Sequence, residues 1–222
     1  MTRSFGVLFR VEHVLFDISK YHYFAWRRLA EELGVSFTEE DNDRCRGIGS
    51  LRSLDILLEK GGLDLSDRDK NDLCDRKLRW LVEYLDKVGP SDLATGSRET
   101  LRAFRALGHP TAVFANREEI FLLLKRLGIE DDFDLVIGPS SPVSTLPVAQ
   151  DYLIVAEALG LETCDLVSFE NSPRGIEAAR NSGCTVVGVG PPRLTPGAHL
   201  AVPGLWAFRP ERLAALVPEL SR

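Results

Sequence analysis

The sequence contains no C-x-x-C pair. Its four cysteines, Cys45, Cys74, Cys164 and Cys184, stand far apart, which excludes a zinc cluster or redox motif of that kind and implies reduced thiols in a cytoplasmic setting. Basic charge is not in excess either. The formal charge is −6 and the pI is near 5.3, whereas nucleic acid or an anionic membrane would require clustered Lys and Arg, so neither partner is expected. Arg76-Lys77-Leu78-Arg79 reads as a solvated helix face. Long apolar runs are absent: Phe5 to Phe16 is broken by Arg10, Glu12 and His13, too short and too polar for a membrane span or a signal-peptide core. There is no internal repeat or low-complexity tract, and no Ser/His/Asp order or Cys/His pair announces a covalent mechanism.

What is present is ordinary globular material, 222 residues with 44% apolar and 27% charged composition, enough to bury a sizeable core. The run Val11 to Phe16 is read as a buried strand that delivers Asp17 to the carboxyl edge of a sheet. From Tyr21 the apolar spacing becomes helical, through segments near 21–33, 39–46, 51–59 and 67–88. After Gly89-Pro90, strands near 111–114, 134–137, 166–169 and 185–189 alternate with helices, which argues for a parallel sheet with right-handed crossovers. Pro191 to Pro203 is read as a surface loop and Glu211 to Val217 as a closing helix. The expected fold is therefore α/β: a Rossmann-like parallel-sheet core formed by residues 1–19 and 91–222, with an all-helical cap domain inserted at 20–90. Ligands of such sheets bind in the crevice outside the carboxyl ends of the strands, and the inserted cap would stand over it.

Tyr21-His22-Tyr23-Phe24-Ala25-Trp26, Leu29 to Gly34, and Glu170-Asn171-Ser172-Pro173-Arg174-Gly175-Ile176-Glu177-Ala178-Ala179 resemble the haloacid dehalogenase superfamily, in particular its β-phosphoglucomutase-like subgroup of sugar-phosphate enzymes. The resemblance covers nearly the whole chain. It implies an aspartate at the end of the first strand that attacks phosphorus and a second aspartate two residues later that protonates the leaving oxygen. It further implies a Ser or Thr at the next strand end and a lysine before a later helix to hold the phosphoryl oxygens, with Mg²⁺ on further carboxylates.

Measured against that pattern, Asp17 matches the nucleophile, and Ser19 stands where the acid belongs, on a connection to Tyr21 several residues shorter than the family's. Phe114 replaces the hydroxyl, with Asn116 and Arg117 as substitutes that could hold phosphate; Leu146 replaces the lysine and Gln150 an aspartate. The acidic pair reads Glu170-Asn171, either a weakened Mg²⁺ site with Asp17 or a cap for the helix from Pro173, since Ser172-Pro173 is a cap-then-first-turn signature. In the cap the resemblance implies ligand contacts from His22, Trp26, Ser53 and Lys77, with packing between helices as the alternative.

Three functions stay open: a core/cap cleft for a sugar- or cyclitol-like molecule, with acid/base chemistry from Asp17, His22 and Glu170 or none; residual Mg²⁺-dependent sugar-phosphate phosphatase or mutase activity; and a non-catalytic pseudoenzyme that binds a protein partner.

Overall fold

The structure, a computed structural model, describes residues 5–46, 48–114, 118–137, 147–211 and 213. The chain divides into two compact units, Met1–Asp17 with Gly89–Arg222, and Ile18–Val88.

The first unit is built on six strands: β1 (Gly6–Arg10), β2 (Thr111–Phe114), β3 (Leu135–Ile137), β4 (Leu166–Glu170), β5 (Thr185–Val189) and β6 (Leu200–Val202). All pair in parallel, in the order β3-β2-β1-β4-β5-β6, so β1 lies inside the sheet. A strand covered on both faces needs a continuous apolar run, and Val7, Leu8 and Phe9 are fully buried.

Side chains alternate across the sheet. One face carries Phe9 stacked on Phe169 with ring centroids 4.6 Å apart, Phe104 edge-on to Phe169 at 5.9 Å, and Phe208 at 5.0 Å from Phe169. The other carries Leu8, Ala112, Phe114 and Leu166 against the helices α7 (Ala149–Ala158) and α8 (Pro173–Asn181), which contribute Tyr152, Val155, Ile176 and Ala179. Helices α5 (Ser97–Ala106) and α6 (Glu118–Leu127) also belong to this unit.

Two expectations need correction. The first strand is Gly6–Arg10 and not 11–16. Val11, Val14, Leu15 and Phe16 are indeed buried, but as an inward-packed turn: Leu15 and Phe16 N–H both donate to Val11 O at 3.1 Å, and His13 N–H donates to Phe16 O at 2.7 Å. His13 takes a left-handed φ of 67°, uncommon for a residue with a side chain, and a strand cannot contain it. Burial alone did not distinguish strand from packed turn. The stretch 191–203 is likewise more than a loop, since β6 pairs there with β5 through Gly188↔Ala201. Only Glu211 and Leu213 of the expected closing helix lie among the described residues.

The second unit holds α1 (Ser19–Glu32), α2 (Glu39–Arg44), α3 (Ser50–Gly61) and α4 (Asp67–Leu85). Trp26 and Leu29 of α1 pack with Leu73, Trp80 and Leu81 of α4 in its interior, and the Arg28 guanidinium covers the Trp80 ring at 4.2 Å. Thr38 and Asp41 form a capping box at the start of α2, and Gly62, at φ 63°, closes α3 with the left-handed turn that glycine adopts without a Cβ penalty.

Candidate active site

The carboxyl ends of β2, β1 and β4 present Phe114, Arg10 and Glu170. Arg10 is in register with Phe114, and Glu170 follows Phe169, the partner of Phe9. Because pleat neighbours share a face, these three side chains lie on the side of α7 and α8. The Arg10 guanidinium stands 4.8 Å from the Phe114 ring centroid, and that ring meets Tyr152 edge-to-face at 5.9 Å. Glu170 is 1% exposed; its Oε1 accepts from Tyr152 Oη at 2.7 Å and from Ser168 Oγ at 3.0 Å. Burial pushes the Glu170 carboxyl above the usual carboxylate range, opposed chiefly by the charge of Arg10 and by these two hydroxyls. The Tyr152 hydroxyl is driven up as well, by burial first and by Glu170 second.

Asn171 is 8% exposed; its amide nitrogen donates to Val189 O, and its Oδ1 is buried without a hydrogen-bond partner among the described residues. The predicted cap after it is present: Ser172 Oγ accepts from Gly175 N–H at 3.1 Å, with Pro173 in the first turn of α8.

Asp17, expected at a strand end, lies seven positions past Arg10 on the turn after β1. Its side chain is 71% exposed, and Oδ1 is 3.6 Å from His13 Nδ1. The placement that recommended it as nucleophile and metal ligand does not hold, and Asp17 and Glu170 belong to different parts of the unit: an exposed turn and a buried strand end. The seemingly shortened connection disappears with the correction, since Val11 to Ile18 now separate β1 from α1. The residues at the first strand end and two positions on are Arg10 and Glu12. Sequence reasoning missed Arg10, Tyr152 and Ser168; the anomalously short connection was the signal that the strand had been placed too late.

In the second unit, α1 and α4 bring His22, Trp26 and Lys77 together. Lys77 is 2% exposed, its Nζ lies 2.7 Å from His22 Nδ1 and 4.9 Å from the Trp26 ring centroid. Trp26 is itself buried, and Ser53 Oγ donates to Gly49 O at 2.8 Å, at the start of its own helix, and to Cys45 O at 3.3 Å, at the end of α2. Asn116, Arg117 and Leu146 lie outside the described residues.

Residues 6–183 match the model of a hydrolase family described as haloacid dehalogenase-like hydrolase. The chain belongs to that family. Within it, the β-phosphoglucomutase of Bacillus subtilis is 29% identical over 199 residues, covering 89% of this chain and 88% of that one. The phosphorylated carbohydrates phosphatase of Thermotoga maritima is 30% identical over 183 residues, 80% and 81% of the two chains. Among solved structures, a β-phosphoglucomutase from Clostridium difficile superimposes with a TM-score of 0.85 at 24% identity, over 97% of this chain and 98% of that one. The parallel-sheet fold is thus that of the haloacid dehalogenase family, in its β-phosphoglucomutase-like subgroup.

The family's Mg²⁺ demands near-octahedral coordination by several oxygens, most of them anionic. Here the first strand ends in a cation, Glu170 already accepts two hydrogen bonds, and Asn171 is neutral. Among the described residues no group of three or more His, Cys, Asp or Glu is placed to hold a metal ion. The residues present do not fit the ion. Among the same residues no helix is long and apolar enough to cross a membrane.

Proposed function

We propose that this chain is a haloacid dehalogenase-family protein that binds a small polyhydroxylated molecule, sugar- or cyclitol-like, and does not carry out efficient phosphoryl transfer. The observation that carries the reading is the strand-end pair Arg10 and Phe114, in register at the positions where the chemistry needs a nucleophilic carboxylate and a phosphate-holding hydroxyl. A guanidinium cannot attack phosphorus, since it has no available lone pair at any accessible pH. A phenyl ring cannot donate to a phosphoryl oxygen. Glu12, two positions on, keeps a carboxyl where the acid belongs, but loss of an oxyanion donor costs about 10²–10³-fold, to which a missing nucleophile is added.

For the ligand, the second unit supports a polar molecule through His22, the part-exposed member of its group with Trp26 and Lys77, which are buried against each other and hold the imidazole in place. The second reading, residual Mg²⁺-dependent sugar-phosphate hydrolysis, is favoured by the names of the relatives, a mutase and a phosphatase of phosphorylated carbohydrates.

A panel of sugar phosphates assayed for phosphate release with and without Mg²⁺ separates the two. The proposal expects no release above the protein-free rate. Mg²⁺-dependent turnover above the protein-free rate would establish the second reading. A thermal-shift screen of unphosphorylated and phosphorylated sugars and cyclitols tests the ligand class; the proposal expects stabilisation of wild type that is absent in Lys77→Met.

A further inference from the structure

The buried carboxyl at the end of β4 raises a question that the ligand does not answer: what balances it. Among the described residues the groups acting on Glu170 include the buried Asp151, a like charge, as well as those that follow. Tyr152 Oη and Ser168 Oγ donate to Oε1. The backbone of α8 runs flush against Oε2: a Cβ on Gly175 would fall inside the contact distance of that oxygen, with Cδ at 3.0 Å and Ser172 Oγ at 3.1 Å. Tyr152, 0% exposed, is pinned in turn by Gly175 O at 3.1 Å and by the Phe114 ring. Arg10 follows Phe9 on the neighbouring strand as Glu170 follows its partner Phe169, with its guanidinium on the Phe114 ring and Nη1 buried and without a hydrogen-bond partner among the described residues.

We propose that Arg10 is a resident counter-cation for Glu170, occupying in this core the electrostatic role that a divalent cation has in the family, so that the core is complete without a metal. Three features favour a built-in cation over an imported one. The guanidinium reaches the site on a sheet strand, so its position is set by the β1–β2–β4 register. It is weakly hydrated and lies flat on an aromatic ring, which reduces the cost of burying its charge. A divalent ion would meet that positive charge and a carboxyl whose Oε1 is already engaged, having first to shed water that Mg²⁺ releases reluctantly. The inference shares its strand-end geometry with the proposed function but makes a separate claim, about charge rather than turnover.

The test is thermal unfolding of the full chain with millimolar Mg²⁺, with Mn²⁺ and with chelator, combined with the variants Arg10→Gln, Glu170→Gln and the double variant. The proposal expects wild-type Tm values equal within about 1 °C in all three conditions, a shift well below that of a bound ligand. It expects Arg10→Gln to lower Tm and the added Glu170→Gln to recover part of that loss, because removing the second charge removes the need for the first. A saturable rise in wild-type Tm with Mg²⁺ would overturn it, as would a double variant no more stable than the sum of the singles. If Arg10→Gln fails to fold, a folded double variant supports the proposal and an unfolded one overturns it. Turnover of a sugar phosphate with no metal effect on Tm would defeat the proposed function and leave the counter-cation standing; a metal-induced shift without turnover would do the reverse.

Discussion

Gly175→Ala is the most informative single change in the core. In the third position of α8 an alanine should help, since glycine inside a helix costs roughly 0.5–1 kcal/mol relative to alanine. The structure reverses the sign. The added Cβ meets Glu170 Oε2 and lies 3.0 Å from Cδ, and the carboxyl cannot retreat while Tyr152 and Ser168 hold Oε1 at 2.7 and 3.0 Å. Forcing a methyl into such a place costs about 1–3 kcal/mol, and displacing the carboxyl forfeits hydrogen bonds worth about 1.5–3 kcal/mol. Set against the helix gain, the net is a loss of roughly 1.5–5.5 kcal/mol, or about 3–22 °C in Tm for a chain of this size. Urea unfolding followed by far-ultraviolet circular dichroism measures it directly, with Glu170→Ala as the second background. There the obstructing carboxyl is gone, so Gly175→Ala is expected to be neutral or stabilising. A stabilising Gly175→Ala in the wild-type background would refute the packing described for Glu170 and everything built on it.

Other predictions concern separate regions. Phe9→Ala removes the ring stacked on Phe169 at 4.6 Å and should cost about 3–5 kcal/mol in urea unfolding, while Ile or Leu at the same place costs less. His199 Nδ1 accepts the Val186 N–H at 2.9 Å, and burial first, then Arg180, hold its pKa below the ordinary 6.5. A lowered folded-state pKa gives stability that is present above 6.5 and lost as pH falls below it, so Tm should drop over that acidic range and drop less in His199→Asn, whose side-chain oxygen accepts without titrating. Burial pushes the Cys184 thiol up to about 12, whereas Cys164 is exposed; alkylation of the native protein followed by mass spectrometry should label Cys164 and leave Cys184 unmodified until denaturant is added.

Much of the fold was legible in the sequence because its signals were local. The helix from Pro173 carried its own cap in Ser172, and the structure shows that cap closed on Gly175. β4 and β5 were readable because strands buried on both faces are short apolar runs between helices. β1 was misplaced because two apolar stretches follow one another, Gly6 to Phe9 and Val14 to Phe16, and both are buried. What separates them is the pairing of Phe9 with Val113 and Phe169, which is non-local, and the left-handed turn at His13. The error mattered, because the identity of the strand-end residue decides the chemistry: with the strand in its place, the position falls to Arg10. β6 escaped notice for a related reason, since three residues between prolines and glycines acquire strand character only by pairing with β5. In the cap, the His22–Trp26 spacing was readable on one helix, but the approach of Lys77 from α4 is tertiary and came only with the structure.

The central claim is that phosphoryl chemistry is missing from the carboxyl edge of this sheet, and phosphate release is its most direct measurement. Wild-type protein incubated with a panel of hexose and pentose phosphates and Mg²⁺ should release phosphate no faster than buffer alone. Release that depends on both the protein and Mg²⁺ would contradict the account.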